Sequence, residues 1–136
     1  MRSPAAPLRG VLIACLITAC MFSACTPQRT PQHFLLPDGF TGWAYVKYDD
    51  PSCAPLEVRD GRQLVRIPPN GRLCTSTRYE TGFARDLWEY VNQDGTTRSL
   101  EYETEISLAS FHEPGHFKVF LVGAARGATP DPSPFR

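Results

Sequence analysis

No sign of charge prevails in this sequence: Lys and Arg number 14, Asp and Glu number 14, and the formal net charge is zero. Neutralising a phosphate backbone takes a basic surplus, so a nucleic-acid partner is not expected. Long uninterrupted elements are lacking too. Thirteen prolines and ten glycines among 136 residues cut the chain too often for long helices. The charge-free apolar run Val11 to Ala24 has fourteen residues, which as helix span only about 21 Å against a hydrocarbon core of about 30 Å. It is too short to cross a membrane. There is no G-x-G-x-x-G, no P-loop and no repeat with a period of tens of residues, so nucleotide-binding folds and solenoids have no support.

What is present begins with a targeting signal. Arg2 and Arg9 give Met1 to Gly10 a cationic character without any acid, and the apolar run follows directly. That order is the layout of a secretory signal peptide. Ile17-Thr18-Ala19-Cys20 and Phe22-Ser23-Ala24-Cys25 both resemble the bacterial lipobox, in which the cysteine thiol is acylated with fatty (palmitate-type) chains and becomes the mature N-terminus. An ordinary signal peptide is the alternative. Ile17 suits the lipobox better than Phe22, but processing at Cys20 would leave Met21-Phe22 beside the lipid. Processing at Cys25 leaves the polar, Pro-containing stretch Thr26 to Gln32, the composition of a linker. Cys25 is therefore the expected lipidation site, with Cys20 as the alternate. The expected division is a lipoprotein signal peptide over 1–24, a polar tether over 25–32, a β-sandwich domain over 33–123 and a disordered tail over 124–136. Removing residues 1–24 leaves 112 residues with 12 basic and 14 acidic side chains. That is enough for one core.

Beyond Cys25 only Cys53 and Cys74 remain. An exported chain meets an oxidising compartment, so the two are expected to form a disulfide. Closing a loop of about 20 residues stabilises by roughly 3 kcal/mol in the chain-entropy model. With no C-x-x-C spacing, redox catalysis is not expected.

Short β-type runs alternate with turn dipeptides through the remainder. Trp43 to Tyr48 lies between Asp38-Gly39 and Asp49-Asp50-Pro51, and Leu64 to Ile67 between Asp60-Gly61 and Pro68-Pro69-Asn70-Gly71. Leu73 to Tyr79 alternates. Leu87–Asn92 and Thr97–Tyr102 read as a hairpin around Asp94-Gly95. Ile106–Phe111 and Phe117–Val122 read as another, with Pro114-Gly115 at its tip, Phe111 near Phe117, and His112 and His116 near solvent. About seven short strands spaced near ten residues apart argue for an all-β fold: a single antiparallel β-sandwich, immunoglobulin-like or transthyretin-like.

His112-Glu113-Pro114-Gly115-His116 matches the letters of the H-E-x-x-H zinc motif. That chemistry needs both histidines on one helical face, and Pro-Gly is the poorest pair for a helix interior, costing about 3 and 1 kcal/mol. His33 is the only other histidine, so no third ligand is evident, and a hairpin turn is the expectation. Asp49, Asp50, Glu101, Glu103 and Glu105 could offer oxygens to a hard cation, but the calcium-loop spacing is absent. Alternate glutamates more often mark the solvent face of a strand. No G-x-S-x-G elbow anchors a nucleophile. Trp43, Tyr45, Tyr48, Trp88 and Tyr90 fit a β-core better than a ligand strip. Catalytic residues, metal and cofactors are expected to be none.

The run His33-Phe34-Leu35-Leu36-Pro37-Asp38-Gly39-Phe40-Thr41-Gly42-Trp43-Ala44-Tyr45-Val46 is distinctive, as is Val65-Arg66-Ile67-Pro68-Pro69-Asn70-Gly71-Arg72-Leu73-Cys74-Thr75-Ser76. With Glu89-Tyr90-Val91-Asn92-Gln93-Asp94-Gly95 they resemble an uncharacterised family of small bacterial lipoproteins, a domain of unknown function with LLPxGxxGxxYV and IPxxG motifs. The resemblance spans residues 33 to 102 and carries no catalytic residues. The lipobox, the absence of a catalytic constellation and the composition point to an exported protein held to the cell envelope by lipid, facing the periplasm or exterior, with binding or envelope support as its role. The rivals are an enzyme with a site assembled from scattered residues and a subunit of a secreted envelope assembly with a protein partner.

Overall fold

In a computed structural model, residues 28–102, 105–109, 116–123, 129–131 and 134–135 are described. They form nine strands and no helix. Gln32–Pro37 (β1), Glu57–Arg59 (β3), Arg62–Arg66 (β4), Leu87–Val91 (β6) and Thr97–Ser99 (β7) make sheet I, in the order β3-β4-β1-β6-β7. Gly42–Lys47 (β2), Arg72–Cys74 (β5), Ile106–Ala109 (β8) and Phe117–Val122 (β9) make sheet II, in the order β5-β2-β9-β8.

The two sheets close on one apolar layer. Phe34, Leu36, Val65, Trp88 and Tyr90 point inward from sheet I, and Ala44, Val46, Ile106, Phe120 and Val122 from sheet II. Phe34 stacks on Trp88 at 3.8 Å between ring centroids and meets Phe120 edge-on at 5.4 Å. Phe120 also packs edge-on against Trp88 at 4.6 Å, so an aromatic trio joins the sheets. Of the five aromatics above, Tyr45, Tyr48, Trp88 and Tyr90 are buried.

The all-β architecture matches the expectation, and four of its seven pairings are antiparallel. Both expected hairpins are among them, in β6–β7 and in β8–β9. Three pairings are parallel instead: β1 with β4, β1 with β6, and β2 with β5. The sandwich is therefore mixed, and the reason lies in two corners. Pro37 cannot donate a ladder hydrogen bond, and the tight turn closed by Phe40 N to Pro37 O at 3.0 Å sends the chain from β1 into the other sheet. The Pro68-to-Gly71 turn does the same between β4 and β5, closed by Gly71 N to Pro68 O at 2.8 Å. Two equivalent crossings leave β1 parallel to β4 and β2 parallel to β5. Asn70-Gly71 thus makes a corner between sheets rather than a hairpin. Gly71 has φ +74°, and a Cβ there would lie 2.7 Å from the Trp43 carbonyl oxygen, so only glycine fits.

At the start of β1 the chain is bound from Gln28 onward. Gln28 bridges to Phe83, Arg29 N donates to the Phe83 carbonyl at 3.2 Å, and β1 begins at Gln32, within the stretch expected to be tether. The expected signal peptide with Cys20 and Cys25, and the expected turn from His112 to Gly115, lie outside the described residues.

Candidate binding face and its polar end

The outward side of sheet I is floored by strands β4, β1 and β6. Their register sets Leu64 and Leu87 on either side of His33, and Arg66 and Glu89 on either side of Leu35. Leu64 and Leu35 are buried and Leu87 is 43% exposed. The His33 imidazole meets the Glu89 carboxylate at 2.8 Å. Edge hairpins flank this floor. Arg59, Asp60 and Arg62 come from the β3–β4 turn, which closes in two residues because Asp60 and Gly61 both adopt positive φ, 51° and 73°. Gly95 and Thr97 come from the β6–β7 turn. The result is a trough of about 440 Å³ with an apolar floor and an arginine rim, lined among the described residues only by sheet I and its turns.

Sheet II differs on its outward side. Tyr45, Val119 and Leu121 are buried there. C-terminal residues meet this side at three points: Asp131 N donates to the Tyr45 hydroxyl at 2.6 Å, Asp131 pairs with Arg72 at 2.9 Å, and Phe135 packs on Phe117 with centroids 5.8 Å apart. Those contacts fall within the stretch expected to be a disordered tail.

Between the sheets, at the end where β1 starts, sits a polar cluster. Arg29 holds Asp86 through two hydrogen bonds of 2.9 and 2.6 Å, and the Gln32 backbone N–H donates to the same carboxylate at 2.9 Å. Lys118 reaches the Gln32 side-chain oxygen at 2.7 Å and Asp86 at 3.6 Å, and the Tyr48 hydroxyl donates to that Gln32 oxygen at 3.2 Å. Burial opposes the Asp86 charge, but Arg29, the Gln32 N–H and Lys118 outweigh it and hold its pKa below the usual carboxylate value. For Lys118 burial prevails over the attraction of Asp86 and lowers its pKa to about 8. Burial also raises the Tyr48 phenol. The free space beside these groups is about 10 Å³, roughly one water and no substrate. No described buried side-chain polar atom lacks a partner, and the cluster acts as a satisfied clasp.

The residues singled out from sequence do not converge on a catalytic centre. His33 lies on the outward face of sheet I, while His116 pairs with Asp49 and stacks on Tyr79 beside sheet II. Asp50 is bound by Lys47 and Ser52, and Glu105 pairs with Arg98 at the opposite end. Cys53 and Cys74 are joined in a disulfide with Cα atoms 5.8 Å apart. Asp50 is close to both sulfurs, but the disulfide leaves no thiolate to ligate a metal. Sequence reasoning passed over the trough. Its signal is the unalternated apolar pairs Leu35-Leu36 and Leu64-Val65, which mark strands buried on both faces.

The model of a family of unknown function, DUF6843, matches residues 28–118. A solved structure described as a "putative lipoprotein" from Bacillus anthracis superposes with a TM-score of 0.62 at 22% identity, covering 79% of this chain and 78% of the other. That likeness is one of fold. No curated protein matches the chain.

Proposed function

The chain belongs to the DUF6843 family, whose function is unknown, and we propose that it is a lipid-anchored, exported protein of the cell envelope that acts by binding through the open trough of sheet I. One observation carries the binding part: Tyr45 and Phe117 on the outward side of sheet II are met by Asp131 and Phe135 of the chain's own C-terminal stretch, whereas among the described residues the matching side of sheet I holds a trough with an apolar floor and an arginine rim. Apolar floors with a few placed polar groups are the usual make-up of ligand and partner sites. The anchor rests on the lipobox resemblance at Cys25, or alternately Cys20, and on the neighbour of like fold described as a lipoprotein. The satisfied polar clasp has no room for a substrate, which favours binding over catalysis.

Mass spectrometry of protein from envelopes should find an acylated cysteine at the N-terminus, and a soluble, unmodified product beginning elsewhere would refute the anchor. Crosslinking in intact envelopes, compared between the wild type and Leu87→Glu at equal abundance, tests the trough. Adducts should be lost in the variant; an unchanged pattern refutes binding there.

A further inference from the structure

Only Thr26 and Pro27 stand between Cys25 and Gln28, three Cα-to-Cα steps, and at Gln28 the chain is already tied to Phe83. An extended chain of that length reaches at most about 11 Å. A headgroup layer is about 5–7 Å deep and the Debye length at physiological salt about 8 Å. With lipid on Cys25, as proposed above, the end of the sandwich at which β1 starts is therefore held within electrostatic range of the bilayer.

That end is basic. Two depressions flank Gln28 and Arg29, one bordered by Arg62, Phe83 and Arg85, the other by Arg78 and Glu80. Arg78 and Arg85 are exposed, and Phe83 is 63% exposed. Glu80 is turned to the backbone N–H of Thr30 at 2.7 Å, and Asp86 beneath neutralises Arg29. Four arginines against two acids leave two positive charges in surplus. Lys47 and Lys118 at this end of sheet II are matched in number by Asp49 and Asp50, and Arg59 by Asp60. The opposite end has the other sign: Asp38, Asp94, Glu101 and Glu105 stand there against Arg98, three negative charges in surplus among the described residues.

We infer that this basic end is a membrane-contacting surface: Arg62, Arg78 and Arg85 engage anionic phospholipid headgroups, and Phe83 enters the interface between them. The charge asymmetry turns the acidic end, with its corners and hairpin turn, away from the bilayer. Sheet I then stands upright, and its trough opens sideways into the envelope space. The inference rests on the proposed anchor. Anchoring at Cys20 would lengthen the reach to about 29 Å and free the domain to turn.

The test places the processed, acylated chain on vesicles of phosphatidylcholine, with or without phosphatidylglycerol, and follows amide hydrogen exchange. With phosphatidylglycerol, amides of residues 28–30 and 78–86 should exchange more slowly by on the order of tenfold, and high salt should remove the difference. Combining Arg62→Glu, Arg78→Glu and Arg85→Glu should abolish this protection while leaving exchange in β9 unchanged, which shows the fold intact; lysine at the three positions should preserve it. Equal exchange on the two vesicle types, or protection that survives charge reversal, overturns the inference. Failure of the chain to float with phosphatidylcholine vesicles overturns the anchor instead. In that case flotation of the unacylated full chain on phosphatidylglycerol vesicles decides the surface: loss of flotation in the glutamate variant supports it, and equal behaviour refutes it.

Discussion

Two faces of this sandwich turn away from its core, and they are finished in different ways. On sheet II the outward Tyr45 and Phe117 are met by Asp131 and Phe135 of the chain's own C-terminal stretch. On sheet I the outward Leu35 and Leu64 are buried, at 9% and 5% exposure, and form the floor of the trough between strands β4, β1 and β6. A face closed by its own tail is part of the fold. The face of sheet I remains concave, partly apolar and rimmed by arginine among the described residues, and that contrast is what supports the binding role proposed for it.

The comparison presupposes that both faces back onto one cooperative core, and the largest expected effect tests this. Phe34 is fully buried, stacks on Trp88 within sheet I and touches Phe120 across the sheet boundary. Phe34→Ala should lower stability by about 3–5 kcal/mol in denaturant unfolding. Fluorescence and far-UV signals should shift together; sheets unfolding in separate transitions would show that the faces belong to different units.

Deleting residues 129–136 should make the outward face of sheet II resemble that of sheet I. The loss should be roughly 1–2 kcal/mol, the worth of a partly buried aromatic with its polar contacts. Binding of a hydrophobic dye should rise as Tyr45 and Phe117 are uncovered. An unchanged melting curve and no added dye binding would mean the stretch is not a cover.

The clasp at the β1 end supplies a pH-dependent effect of similar size. Lys118 is faced by Asp86, Arg29 and Tyr48, and its pKa in the fold is lowered to about 8. The unfolded chain, with an ordinary lysine value near 10.4, then binds more protons above pH 8, so stability rises with pH. Between pH 7 and 9.5 the gain should be about 2 kcal/mol, and Lys118→Met should remove it. A wild-type curve that is flat or falls across this range would contradict the assignment.

Much of this was legible along the chain, and the remainder depends on partners far away in it. The hairpins β6–β7 and β8–β9 are local, and alternation with turn residues marks them. The pairing of β1 with β4 and β6 is not local, and nothing in Phe34-Leu35-Leu36 states which way its neighbours run. β3 was missed because Glu57-Val58-Arg59 is exposed throughout and has no apolar pattern. Gln28 to Pro31 reads as linker because Asp86 and Phe83, which fix it, lie more than fifty residues on. The trough had a local signal, consecutive apolar residues where a one-sided strand would alternate. The polarity between the two ends had none, since it arises only when β1, β4 and β6 align their starts.

Leu87 gives the smallest effect on stability and the sharpest test of function. It sits on the floor of the trough at 43% exposure, one register step from His33. Replacing it by glutamate buries little charge, so the fold should lose less than about 0.5 kcal/mol. Val119→Glu, at a site only 6% exposed on the outward side of sheet II, would bury a carboxylate and should cost about 1–3 kcal/mol or more. Two like substitutions on two outward faces should thus separate by effect: one should disturb the fold, and the other should disturb only what the protein binds. Equal destabilisation by both, in paired thermal melts, would mean that the face of sheet I is also closed in the working protein.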